Sequence, residues 1–203
     1  MKIDIYFLTS REGGEVVFKR VESELELDRF NHIWTTVWLE KGYDLDFTEE
    51  VLERFVIVTE EGEHIGTSEI KPYSIHESEI NQIAPFADHP KLIQAEGAVA
   101  IIDKMAVLKH YRGHFIADLL SAAVLFGEEN KLKYYVALME PVFQRALRIT
   151  FHVPIEKVGG KVYYKGDYVV PVIIDVEEVY NNKEQYPWII YLQETSHIQQ
   201  TAQ

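Results

Sequence analysis

Four basic side chains, Lys109, His110, Arg112 and His114, crowd around one glycine, Gly113, in a 203-residue chain whose formal net charge is −13. They lie in "KMAVLKHYRGHFIADLLSAAVLFGEEN", between an apolar run that reads as a strand and one that reads as a helix. A helix N-terminus presents unpaired N–H groups and the positive end of its dipole, and both favour an anion. Glycine lets backbone approach a ligand closely, and Arg112 adds direct charge. The chemistry this spacing suggests is the binding of a phosphate-type group; the plainer reading is a solvated basic turn before a helix. A second polar pair, Asp103 and Lys104, interrupts the otherwise apolar "GAVAIIDKMAVL". Strand alternation puts such neighbours on opposite faces, and a polar group in a buried strand has a partner or a task.

The elements that hold these residues show as periodic runs. "KIDIYFL" and "EVVFKRV" read as N-terminal strands around a turn at Gly13-Gly14. In "SELELDRFNHIWTTVWLEKGYD" Ser23 and Glu26 fit a capping box, Phe30, Ile33, Trp34, Val37 and Trp38 recur at helical spacing, and Gly42 is a stop. Trp34 and Trp38 read as core and His32 as a surface or packed side chain. "RFVIVTEEGEHIGTSEIKPY" predicts a hairpin turning at Glu61-Gly62. Residues 77–92, with Pro85 and Pro90, make a long connection that is functional or hides a short helix. After the strand through Met105 come a helix with the stripe Ile116, Leu119, Leu120, Ala123 and Val124, the strand "KYYVALM", a short helix opened by Pro141, and closing strands with turns at Gly159-Gly160 and Gly166-Asp167. Strands alternating with helices in this order predict an α/β (α+β) domain built on one mixed sheet of six or seven strands, over residues 1–180, with 181–203 as an extension.

Composition narrows the function. With 47% apolar residues the chain can bury a core as one domain. No apolar run reaches membrane-spanning length, and the N-terminus has no signal-peptide pattern, so a cytoplasmic protein without a membrane span is expected. The absence of cysteine excludes thiol chemistry and disulfides. The acidic balance argues against a nucleic-acid partner. The histidines lack metal-ligand spacing, so no metal is expected. There is no Gly-x-Ser-x-Gly and no Walker loop; "VGGK" reads as a hairpin turn.

"MAVLKHYRGHFIADLL" resembles the donor-binding segment of the GNAT-superfamily acyltransferases, in which Arg or Gln, two residues, Gly, one residue, then Gly or Ala follow a strand. Arg112 and Ala117 match the outer positions, and Phe115 stands where the family has glycine. "VWLEKGYD", "IDKMAV" and "ALMEPVFQRALRITFHVPIEKVGGKVYYKGDYVVPVIIDVEEV" are similar to one branch: the autoinducer (acyl-homoserine-lactone) synthases and the exosortase-associated acyltransferases. The matches span roughly residues 30–179. The resemblance implies a mostly antiparallel sheet with helices on both faces and central strands that splay near Ala106, leaving a gap for the donor's pantetheine arm. It places the donor, acyl-CoA or acetyl-CoA with acyl carrier protein as an alternative, against Met105, Ala106, Val107, Arg112, Gly113, His114, Phe115, Ile116 and Ala117. It implies a small-molecule amine as acceptor and leaves a homodimer open.

Acyl transfer to an amine needs a proton acceptor and a polarised carbonyl. By the same resemblance, the family's usual glutamate falls on Ile101 and its tyrosine on Ala146. Asp103, Glu40 at the end of the first helix, and Glu69 on the hairpin strand are the candidates to replace them. The missing pair also supports a rival expectation, a catalytically silent GNAT-fold ligand-binding or regulatory module.

Overall fold

A computed structural model describes residues 7–9, 16–113 and 115–190. The predicted turn at Gly13-Gly14, most of "KIDIYFL" and His114 lie outside the described residues. The elements run β1 (Phe7–Thr9), β2 (Val16–Arg20), α1 (Glu24–Lys41), β3 (Glu53–Thr59), β4 (His64–Pro72), α2 (Ile80–Ile83), α3 (Pro90–Gln94), β5 (Val99–Val107), α4 (Ile116–Glu129), β6 (Tyr134–Met139), α5 (Pro141–Ile149), β7 (Ile155–Lys157), β8 (Val162–Tyr164), β9 (Asp167–Asp175) and α6 (Val176–Asn181).

Local chemistry explains the boundaries. Ser23 and Glu26 make the reciprocal capping box, the Ser23 hydroxyl accepting from the Glu26 N–H and the Glu26 carboxylate from the Ser23 N–H. Gly42, at φ 74°, ends α1 in a left-handed conformation. The connection over residues 77–92 hides α2 and the start of α3.

Among the described residues the strand order is β1-β2-β3-β4-β5-β6-β9-β7, with β8 paired to the start of β9. Nine strands are described against the expected six or seven; β7 and β8 lie end to end along β9 and share one position, which leaves eight positions across the sheet. For the same reason "VGGK" joins two segments of one edge rather than turning a hairpin. The only parallel pair in this path is β5–β6, and it holds just from Val99–Ile101 against Tyr134–Val136. The central strands therefore part about five residues before Ala106, earlier than expected.

Alternation along β3 feeds two of the three buried clusters among the described residues; the third gathers Ile80, Phe86 and Leu92 against Val136 and Ile173. Phe55 and Ile57 face the α4 side; Val56 and Val58 face Phe30, Trp34 and Val37 of α1. Helices thus cover both faces, as expected. Residues 182–190 also pack in: Trp188 and Ile189 are buried, and Ser121 Oγ accepts from the Ile190 N–H at 3.1 Å. The boundary at 180 therefore falls inside packed structure.

Candidate active site

Where β5 and β6 separate, a cleft of about 1050 Å³ passes through the sheet. One end is apolar, lined beneath α4 and α5 by Leu120, Ala123, Val124, Ala137, Leu147 and Trp188. The other end, beneath α1 and beside β4, is lined by Lys71, Tyr73, Asp103, Lys104, Arg112 and Glu140.

The polar wall is built on an irregularity. β4–β5 pairing shifts register between Thr67↔Ala106 and Glu69↔Asp103, and Lys104 takes φ 46°, a left-handed conformation unusual for a side-chain-bearing residue. The simple alternation expected for Asp103 and Lys104 is replaced by this bulge. Lys104 is buried, its Nζ 2.6 Å from Glu69 Oε1 and 4.8 Å from the centre of the Trp34 ring. Arg54 Nε donates to the other Glu69 oxygen at 2.7 Å. Glu69, fully buried between two cations, does not line the cleft.

Asp103 does line it. Its Oδ2 lies 2.7 Å from Lys71 Nζ, and its Oδ1 accepts from the Lys104 N–H at 2.8 Å. Burial pushes the Asp103 carboxyl up, but the charge and hydrogen bond of Lys71, helped by the Lys104 N–H, outweigh it and hold the group below the ordinary Asp range. Burial pulls the Lys71 ammonium down, and Asp103 with Glu69 more than offsets it, leaving Lys71 raised. Ile101 and Ala146, where the family pattern has Glu and Tyr, both line the cleft.

The basic turn stands at the cleft's edge. Met105, Ala106, Val107, Arg112 and Ile116 line it. Gly113, at φ 94°, makes the reversal that points the chain into α4. Phe115 packs against the main core with its ring 5.9 Å from that of Tyr111, and is not among the lining residues. The side chain in the family's glycine position is therefore turned aside. Ala117 is buried in the first turn of α4. Glu40 is brought to the turn rather than to the cleft, pairing with Arg112 at 2.8 Å.

Sequence reasoning missed Lys71, Lys41, Tyr43 and Glu140. Lys71 had one signal, its Glu-x-Lys spacing from Glu69, which puts both on one strand face. Lys41 reaches Glu140 at the end of β6. Burial, then the Glu140 and Asp167 charges, push the Tyr43 phenol up to about 12, so it stays protonated and serves as a donor. Among the described residues no three His, Asp or Glu side chains gather as a metal-ligand group.

No protein-family model matches the chain, and no curated protein matches it in sequence. Solved structures do. An N-acyl amino acid synthase, FeeM, from uncultured soil microbes, is similar at TM-score 0.66 and 16% identity, covering 80% of this chain and 92% of that one. The CoA-dependent acyl-homoserine lactone synthase BjaI is similar at TM-score 0.60 and 13% identity, with 84% and 87% covered. The acyl-homoserine-lactone synthase LasI gives 0.58 and 13%, with 81% and 91% covered. The chain has the fold that these structures share. The splayed strands, the bulge in β5 and the turn before α4 surround one cleft: of the residues singled out in the sequence, Asp103, Met105, Ala106, Val107, Arg112 and Ile116 line it, Gly113, Phe115 and Ala117 do not, Glu69 lies behind its wall and Glu40 at its rim.

Proposed function

We propose that the protein is an acyltransferase that moves an acyl group from a thioester donor to the amine of a small molecule, with acyl-CoA as donor and acyl carrier protein as the alternative. The observation that carries this reading is a cleft whose apolar end runs through the splayed sheet and whose charged end meets it at the β5 bulge. An acyl chain suits the apolar end. The donor's phosphates suit the turn at Arg112 and Gly113 and the N-terminus of α4. The acceptor amine suits the wall at Asp103. In the reaction the amine nitrogen bonds to the thioester carbonyl carbon, the C–S bond breaks with its electron pair on sulfur, and the amine's proton passes to Asp103 and on to solvent. A phosphate-bearing thioester donor fits a reaction in the cytoplasm; among the described residues no helix is long and apolar enough to cross a membrane. A catalytically silent module is the second reading, favoured by Ile101 and Ala146 at the positions where the family carries Glu and Tyr.

Thiol release from acyl-CoAs of increasing length, over a panel of amines, decides between them. Each methylene that fills the apolar end should raise kcat/KM about three- to fourfold, since burying one is worth about 0.8 kcal/mol. Arg112→Ala should weaken donor binding by about 1–3 kcal/mol, measured by isothermal titration. CoA binding with no thiol release over any amine would favour the silent module. No binding of any thioester would remove the donor-site assignment.

A further inference from the structure

The cation of the donor turn already has a counter-ion within the chain. Arg112 Nη2 lies 2.8 Å from Glu40 Oε2, and its Nε donates to the Val107 carbonyl at 3.2 Å. Both partners are more than a third exposed, 39% for Arg112 and 38% for Glu40, so a dissolved anion can reach the guanidinium. Glu40 arrives from the last turn of α1. The next residue, Lys41, is paired to Glu140 at the end of β6, across the gap from β5. Adjacent residues of one helix thus hold the two lips of the cleft, and the Lys41 tie keeps Glu40 beside Arg112.

We propose that Glu40 is an internal competitor for the donor's phosphate, setting donor and free-CoA affinity through Arg112 rather than taking a proton from the amine. The inference rests on the acyltransferase reading and adds a role for a residue outside the cleft. A phosphate that approaches Arg112 must displace a carboxylate and meets its repulsion. CoA and acyl-CoA are weakened alike, so the thiol product leaves faster than the turn alone would allow. A donor fragment without phosphate leaves the Arg112–Glu40 pair intact and is indifferent to it.

Glu40→Gln tests this, because it keeps the side chain's size and removes its charge. Titration calorimetry should show CoA bound about three- to tenfold more tightly by the variant, given the modest strength of an exposed pair plus the removed repulsion. Acetyl-pantetheine, which lacks phosphate, should bind both proteins equally. In an Arg112→Ala background the Glu40→Gln gain should shrink, since the coupled pair is gone and only the direct repulsion of the phosphate remains. A merely structural Glu40 would give weaker binding or an equal change for both ligands, and either result overturns the inference while leaving the acyltransferase reading in place. A gain that is undiminished without Arg112 also overturns it. Failure of the wild-type protein to bind CoA would overturn the donor site itself, and the inference with it.

Discussion

Glu69→Gln should destabilise the fold by about 3–5 kcal/mol, the typical cost of removing one partner from a buried ion pair. Glu69 is fully buried and serves two cations, Lys104 at 2.6 Å and Arg54 at 2.7 Å. Glutamine can accept from one of them but cancels neither charge, and the Lys104 side chain is only 5% exposed. Urea denaturation should show a lower midpoint with an unchanged slope. The paired change Glu69→Gln with Lys104→Met should recover much of the loss, because it removes a buried cation along with the anion and leaves an apolar chain against the Trp34 ring. A single variant within about 0.5 kcal/mol of wild type would mean that water reaches the trio and screens it.

Asp103→Asn should lower kcat about a hundredfold or more with little change in donor affinity, as expected for a group acting on the amine in the transition state. Held below the ordinary Asp range, its carboxylate is ionised well below neutrality, so the pH–rate profile above about pH 5 should report the amine substrate and not Asp103. The stability linkage has the same sign. A depressed folded-state pKa contributes stability above the unfolded Asp value, and that contribution is lost as pH falls through the folded one. Asp103→Asn also leaves Lys71 without its nearest counter-charge, so the rate should be read beside Asp103→Asn with Lys71→Met. If the double variant regains stability and stays slow, the carboxylate acts on the reaction; if it regains rate, Asp103 only neutralises Lys71.

The features legible in the sequence were those fixed by near neighbours. Ser23, Glu26 and Gly42 bound α1 through contacts within a turn, and Pro141 opens α5 in the same way. The turn at Gly113 was visible because a helix start after an apolar strand has a local signature. The charged wall was not, since its bonds span the chain: Lys71 to Asp103 over 32 residues, Glu69 to Lys104 over 35. Those meetings depend on strand register, and a slip of one residue would turn each side chain to the other face. The bulge at Lys104 has no composition cue, because a lysine at φ 46° is held there by the surrounding structure and not by its own preference. Glu40 read as a candidate proton acceptor at the end of α1, for want of any sign that Arg112, 72 residues on, would come beside it.

The short β5–β6 contact, only Val99–Ile101 against Tyr134–Val136, has a mechanical meaning. It is a seam between two plates, β1–β5 on one side and β6–β9 on the other, bound elsewhere by α4 as it crosses between them. Plates joined along so short a line are expected to open as separate cooperative units. Amide exchange should therefore run fastest along the edges that border the gap, beyond Ile101 in β5 and beyond Val136 in β6, and slowest where β3 meets β4 and β6 meets β9. Anything lodged in the gap would act as mortar, damping both plates together.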